Sequence, residues 1–142
     1  MGLRFGSVMG GETAVGGKEV VVVMKRAETT GAGFQYRLLA TSKTSTMKRE
    51  LQDAADAGYA YVGQTVFESL FGGREVVCIL EREQGNRGDS DYEYELLATS
   101  RTSTMDKELQ KMAGEGYELV GLTVGQTAMG GAELVTILRR KR

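Results

Sequence analysis

YRLLATSKTSTMKRELQDAADAGYAYVG, residues 36–63, returns as YELLATSRTSTMDKELQKMAGEGYELVG at residues 94–121. The match runs ungapped from Tyr36–Arg82 onto Tyr94–Arg140 at a constant shift of 58, with 27 of 47 positions identical. Self-similarity at such a spacing marks a repeat architecture, each copy being one supersecondary unit. The periodicities inside the copy therefore set the fold.

Phe34, Tyr36, Leu38 and Ala40 alternate with polar or smaller positions, as do Tyr92, Tyr94, Leu96 and Ala98. A period of two predicts a strand with that face buried. The hydroxyl run TSKTST or TSRTST comes next. Met47, Leu51, Ala54 and Ala55 then recur at i, i+4, i+7 and i+8, as do Met105, Leu109, Met112 and Ala113, giving each helix one apolar stripe. Ser45 and Ser103 read as N-caps, Asp106 suits a first turn, and Gly58 and Gly116 stand where a left-handed C-cap is wanted. Together they predict helices over about 46–57 and 104–115. Two apolar strands end each copy, YAYVGQTV and REVVCILER, or YELVGLTV and AELVTILRR, joined across the glycine pairs 72–73 and 130–131. Each unit is β-α-β-β. A right-handed crossover leaves its first two strands parallel, with the third between them and antiparallel to both.

Working outward, a partial copy opens the chain. FGSVMGGETAVGGKEVV (5–21) lines up with VGLTVGQTAMGGAELV (120–135) once one extra glycine, Gly10 or Gly11, is allowed. The reading is an α+β protein of two and a half tandem βαββ repeats, about eight strands and two helices, with the helices packed on mainly antiparallel sheet. A partial repeat of two hairpin strands (about 3–9 and 18–25) occupies 1–26, full repeats occupy 34–83 and 92–142, and small polar linkers at 27–33 and 84–91 separate them within one compact unit.

GYELVG (116–121), GYAYVG (58–63) and, in outline, GLRFGS (2–7) precede the hairpins, which end in ILRRK (137–141) and ILERE (79–83). This arrangement resembles a widespread family of short bacterial βαββ domains that carry a Gly-Trp-Glu-Leu-Val signature after the helix, with Tyr here in place of Trp. The resemblance implies a fold. The family has no established activity, so it implies no function, cofactor or catalytic residue.

Composition narrows the chemistry. The 142 residues carry 18 Lys+Arg against 19 Asp+Glu, a formal net charge of −1, which removes the basic surface that nucleic acid binding wants. No run approaches the roughly 18–20 apolar residues needed to cross a bilayer, and no charged-then-apolar leader is read, so no membrane partner is expected. The sequence holds no His, no Trp and no Pro, and Cys78 is its one cysteine. A His-based triad, a His or multi-Cys metal site and an intrachain disulfide are therefore excluded, and no metal or cofactor is expected. The compartment stays open.

Ser42, Lys43, Thr44 and Ser45, with their twins Ser100, Arg101, Thr102 and Ser103, place hydroxyls and one cation just before a helix. Unpaired N–H groups and the helix dipole there favour a small anion, a phosphate or carboxylate. The plainer reading, a capped helix start in a solvated loop, is preferred because no glycine-rich cradle accompanies the hydroxyls. The Gly-rich stretches 9–19, 69–75 and 128–133 lead into strands and read as turns. Their apolar tips, Val15, Leu70, Phe71 and Met129, pack on a neighbouring unit or meet another chain. Glu19, Glu75 and Glu133 recur at the start of the third strand, but no second recurring carboxylate offers an acid–base partner. Cys78, whose twin is Thr136, reads as a small buried residue and not as an activated thiolate. Arg139, Arg140, Lys141 and Arg142 read as a solvated basic tail.

The truncation is the informative feature. VVVVM (20–24) is a very apolar strand without the helix that covers its counterparts. Either the three hairpins close around a pseudo-threefold centre, or a second copy covers the gap. Association through Val21 and Val23 is the expectation, most simply as a two-fold homodimer, and with it a non-enzymatic binding or assembly module. The alternative is a small-anion sensor or enzyme using the Ser/Thr-rich helix N-termini.

Overall fold

The computed structural model describes residues 2–12, 14–27, 33–41, 43–68, 74–85, 91–126 and 131–142. Eight strands and two helices follow in the order β1 Leu3–Glu12, β2 Lys18–Arg26, β3 Phe34–Thr41, α1 Thr44–Asp56, β4 Ala60–Glu68, β5 Arg74–Glu83, β6 Tyr92–Thr99, α2 Thr102–Gly114, β7 Glu118–Gln126 and β8 Ala132–Lys141. They form three antiparallel sheets, β1-β2, β3-β5-β4 and β6-β8-β7, so the protein is α+β with helices packed on antiparallel sheet. In both three-stranded sheets the third strand of the unit lies in the middle, antiparallel to its neighbours, as the crossover rule requires.

Each of the three hairpins carries a β-bulge in its first strand, between Phe5 and Ser7, between Tyr61 and Gly63, and between Leu119 and Gly121. The pairs that follow the bulges are Ser7–Val23, Gly63–Ile79 and Gly121–Ile137. Ser7 thus corresponds to Gly63 and Gly121, and the partial copy matches the full ones without a gap. The extra glycine expected from sequence is not needed. Matching Gly6 to Gly121 on identity missed the bulge residue, which shifts the strand by one.

Both helices begin two residues before the predicted starts and end one residue before the predicted ends. Lys43 and Arg101 occupy the N-cap positions, and neither side chain caps. The hydroxyls of Thr41 and Thr99 accept the N–H of Lys43 and Arg101, at 3.2 Å in each case. This side-chain turn swings the chain out of the strand, and the helix is under way before Ser45 or Ser103 is reached. Asp106 is consequently the fifth helical residue, and neither helix has an acid in its first turn. The helix ends are as predicted in type. Gly58 and Gly116 have φ of 82° and 86°. Gly58 N–H reaches Ala55 O at 2.7 Å and Tyr59 N–H reaches Ala54 O at 3.0 Å, a Schellman closure that Gly116 and Tyr117 repeat on Ala113 and Met112.

The main core spans both full units. Met47, Leu51, Ala54 and Ala55 of α1 meet Val76, Cys78 and Leu80 of β5 on one side, and Tyr94 of β6 with Ile137 of β8 on the other. α1 is therefore wedged between its own sheet and the next one. Among the described residues α2 has no sheet beyond it: Met105 and Met112 are buried, but Leu109 is only partly covered and Ala113 is exposed. Because α1 shares one core with β6 and β8, the units stabilise one another.

The alternation expected to bury Phe34, Tyr36, Leu38 and Ala40 holds in period but not in burial. Leu38 and Ala40 are exposed, whereas Tyr94, the twin of Tyr36, is buried. α1 packs on that face of β6 at Tyr92, Tyr94 and Leu96, and Ala98 is exposed like its twin Ala40. Among the described residues no helix lies on the corresponding face of β3.

Candidate functional site

Each sheet has a helix face, carrying Val76, Cys78 and Leu80 in the first full unit, and a back face carrying Val77 and Ile79. Successive units stack with the back face of one on the helix face of the one before. A Cβ added to Gly63 would lie 2.6 Å from Phe5 Cζ and 3.4 Å from Val8 Cγ1, and one added to Gly121 would lie 2.5 Å from Tyr61 Oη and from Gln64 Oε1. The absent side chain lets the two sheets approach. Phe5 and Val8 correspond by register to Tyr61 and Gln64, so the two unit–unit contacts are built alike.

A tyrosine pins each contact. Tyr94 Oη accepts the N–H of Tyr61 at 2.9 Å, and Tyr36 Oη accepts the N–H of Phe5 at 2.9 Å. Each donor borders a bulge, where the ladder leaves a backbone group without a strand partner. Burial raises the hydroxyl pKa of both Tyr94 and Tyr36. At the first contact Arg4 Nη2 also pairs with the buried Glu81 carboxylate at 2.7 Å, and this ion pair raises the guanidinium pKa.

The stack stops abruptly at both ends. Val21 and Val23, 41% and 45% exposed, correspond to Val77 and Ile79, which are 4% and 5% exposed. With the exposed Met9 they form the uncovered back face of the half-unit. At the other end Leu119, Leu122 and Val124 are exposed where Tyr61, Gln64 and Val66 face the next sheet. Packing runs in series, β1 on β4 and β4 on β7, with no comparable β1–β7 contact among the described residues, so the hairpins do not close into a ring.

The hydroxyl stretches form the first turns of the two helices. Lys43, Thr44 and Ser45 open α1, and Arg101, Thr102 and Ser103 open α2 after Ser100; Ser42 lies outside the described residues. Thr44 Oγ1 donates to Glu133 Oε1 at 3.4 Å, so a carboxylate of the next unit already stands at the α1 N-terminus. A groove of about 470 Å3 runs along the seam between α1 and β6, lined by Ser45, Lys48, Gln52, Glu93 and Glu95 among others. Lys48 pairs with Glu95 on its wall at 2.6 Å, and Glu93 pairs with Arg140 at 2.7 Å.

The remaining sequence candidates fall on structural roles. Cys78 is fully buried, and burial pushes its thiol up to about 12, far from an activated thiolate. The basic tail is no loose tail: Arg139 and Arg140 belong to β8, and Arg139, Arg140 and Arg142 pair with Glu118, Glu93 and Asp56. Of the apolar tips, Val15 is exposed and packs on no unit, and Leu70, Phe71 and Met129 lie outside the described residues. Among the described residues no group of three or more Cys, Asp and Glu is placed to hold a metal ion, and no helix is long and apolar enough to cross a membrane.

Sequence reasoning missed the tyrosine hydroxyls and the open patch of β7. Tyr at the same alternating position of both copies was the available signal for the first. The run Leu-Val-Gly-Leu-Thr-Val held the second, but its periodicity is masked by the bulge. Comparison with known protein families, curated proteins and solved structures gives no match.

Proposed function

We propose that this chain is a non-enzymatic assembly module that associates with a second copy through the uncovered sheet of its incomplete first unit. One observation carries the reading. Val21 and Val23 are nearly half exposed at positions whose counterparts in both full units are buried, Val77 and Ile79 in one, Val135 and Ile137 in the other. Stacked-repeat proteins need a polar outer face on their terminal repeats to stay soluble, and this half-unit presents valines in place of one. Among the described residues β2 pairs with β1 alone and so forms a sheet edge, the kind of edge that pairs with another chain.

Light scattering on a size-exclusion column tests this. The expected result is a mass above 15.4 kDa that rises with protein concentration and returns to the single-chain value in a Val21→Lys, Val23→Lys variant. A mass of one chain at every concentration rejects the proposal.

A further inference from the structure

We infer that the second copy docks head to tail: the back face of one copy's half-unit sits on the open helix face of the other copy's last unit. This rests on the self-association proposed above and names the surface that receives it. Within the chain, every unit takes the back face of its successor onto Phe5 and Val8, or onto Tyr61 and Gln64. The same register positions in the last unit are Leu119 and Leu122, apolar and exposed, with Val124 beside them. The one back face without a predecessor is Met9, Val21 and Val23. Ser7 stands there in place of Gly63 and Gly121, and its side chain would face Leu119, which is shorter than the Phe5 ring and the Tyr61 hydroxyl that the glycines accommodate. One copy therefore lacks what the other displays, in the geometry the chain already uses twice.

Charge agrees independently. Arg4 and Glu81 form the ion pair that crosses the first contact. By register, Arg4 corresponds to Glu118 and Glu81 corresponds to Lys25. A head-to-tail contact therefore brings Glu118 of one copy to Lys25 of the other, the same pair with its signs exchanged. A two-fold contact through β2 would leave Leu119 and Leu122 uncovered, and Glu118 with Arg139 of its own chain as its one cation among the described residues. A contact between two different surfaces continues from copy to copy, into an open filament or a closed ring.

Two variants separate the outcomes. Val23→Lys spoils only the half-unit face, and Leu122→Lys spoils only the face of the last unit; both side chains are exposed, and far-UV circular dichroism checks that each variant folds. Each is expected to run as a single chain of 15.4 kDa. Their equimolar mixture is expected to give about twice that mass, because each supplies the face the other lacks, and to grow no further. Lys25→Glu and Glu118→Lys should each weaken assembly several-fold and regain it when mixed. A Leu122→Lys protein that associates as well as the parent overturns the head-to-tail contact and leaves the self-association proposal standing through another surface. A parent protein that never associates overturns both.

Discussion

The hydroxyl of Tyr94 lies 2.9 Å from the backbone nitrogen of Tyr61, at the edge of a bulge in the preceding unit. Its twin Tyr36 makes the same bond to Phe5, also at 2.9 Å, yet Tyr94 is 2% exposed and Tyr36 37%. The difference is the helix. α1 lies over Tyr94, and among the described residues no helix lies over Tyr36, so the same hydrogen bond is dry in one place and wet in the other.

Tyr94→Phe should cost about 1–3 kcal/mol, because it strands a buried N–H without an acceptor. Tyr36→Phe should stay within about 0.5 kcal/mol, since water can replace the lost oxygen. Urea unfolding of the two variants checks the contrast, and equal losses would contradict the sheltering role given to α1.

Gly63→Ala should destabilise by about 1–3 kcal/mol through overpacking against the Phe5 ring, which a new methyl would meet at 2.6 Å. Gly11→Ala, where the space is open, should be near neutral. Thermal denaturation of both proteins measures the difference.

Arg4→Met should cost about 1–3 kcal/mol. It leaves the Glu81 carboxylate, 7% exposed and paired to Arg4 at 2.7 Å, without its cation. Glu81→Gln in the same background should recover part of the loss, because the buried charge is removed with its partner. A double-mutant cycle reads this coupling.

Alkali should loosen the protein through buried acids that stay protonated when folded. Burial pushes the Cys78 thiol up to about 12 and raises the hydroxyls of Tyr61 and Tyr94. In the unfolded chain the thiol ionises near its ordinary value of about 8.5. The unfolded state then binds fewer protons than the native one, so stability is full below that pH and falls as pH rises towards 12. Melting temperature should decline between pH 9 and 11, and Cys78→Thr should flatten the early part of the decline. At pH 8 the native thiol should resist disulfide reagents until the chain opens, which a modification time course measures.

The βαββ order, both helices, their glycine closures and the central place of the third strand were legible because each depends on periodicity or on a local turn. The helix starts were less so. Thr41 and Thr99 compete with Ser45 and Ser103 for the same task, and only the path of the chain shows which hydroxyl finds a backbone N–H. Val21 and Val23 were legible as candidates because an apolar strand lacked its helix. Leu119, Leu122 and Val124 were not, since alternation across a bulge changes face without any mark in the residues.

The order of residues by itself determined the unit and its duplication, both properties of neighbours along the chain. How the units meet is long-range. The same tyrosine is buried or exposed, and the same valine position is core or surface, according to whether a sheet or helix from another unit lies against it. Back-to-front stacking and the exposure of Val23 and Leu122 follow from register and contact between strands far apart in sequence, which no local pattern encodes.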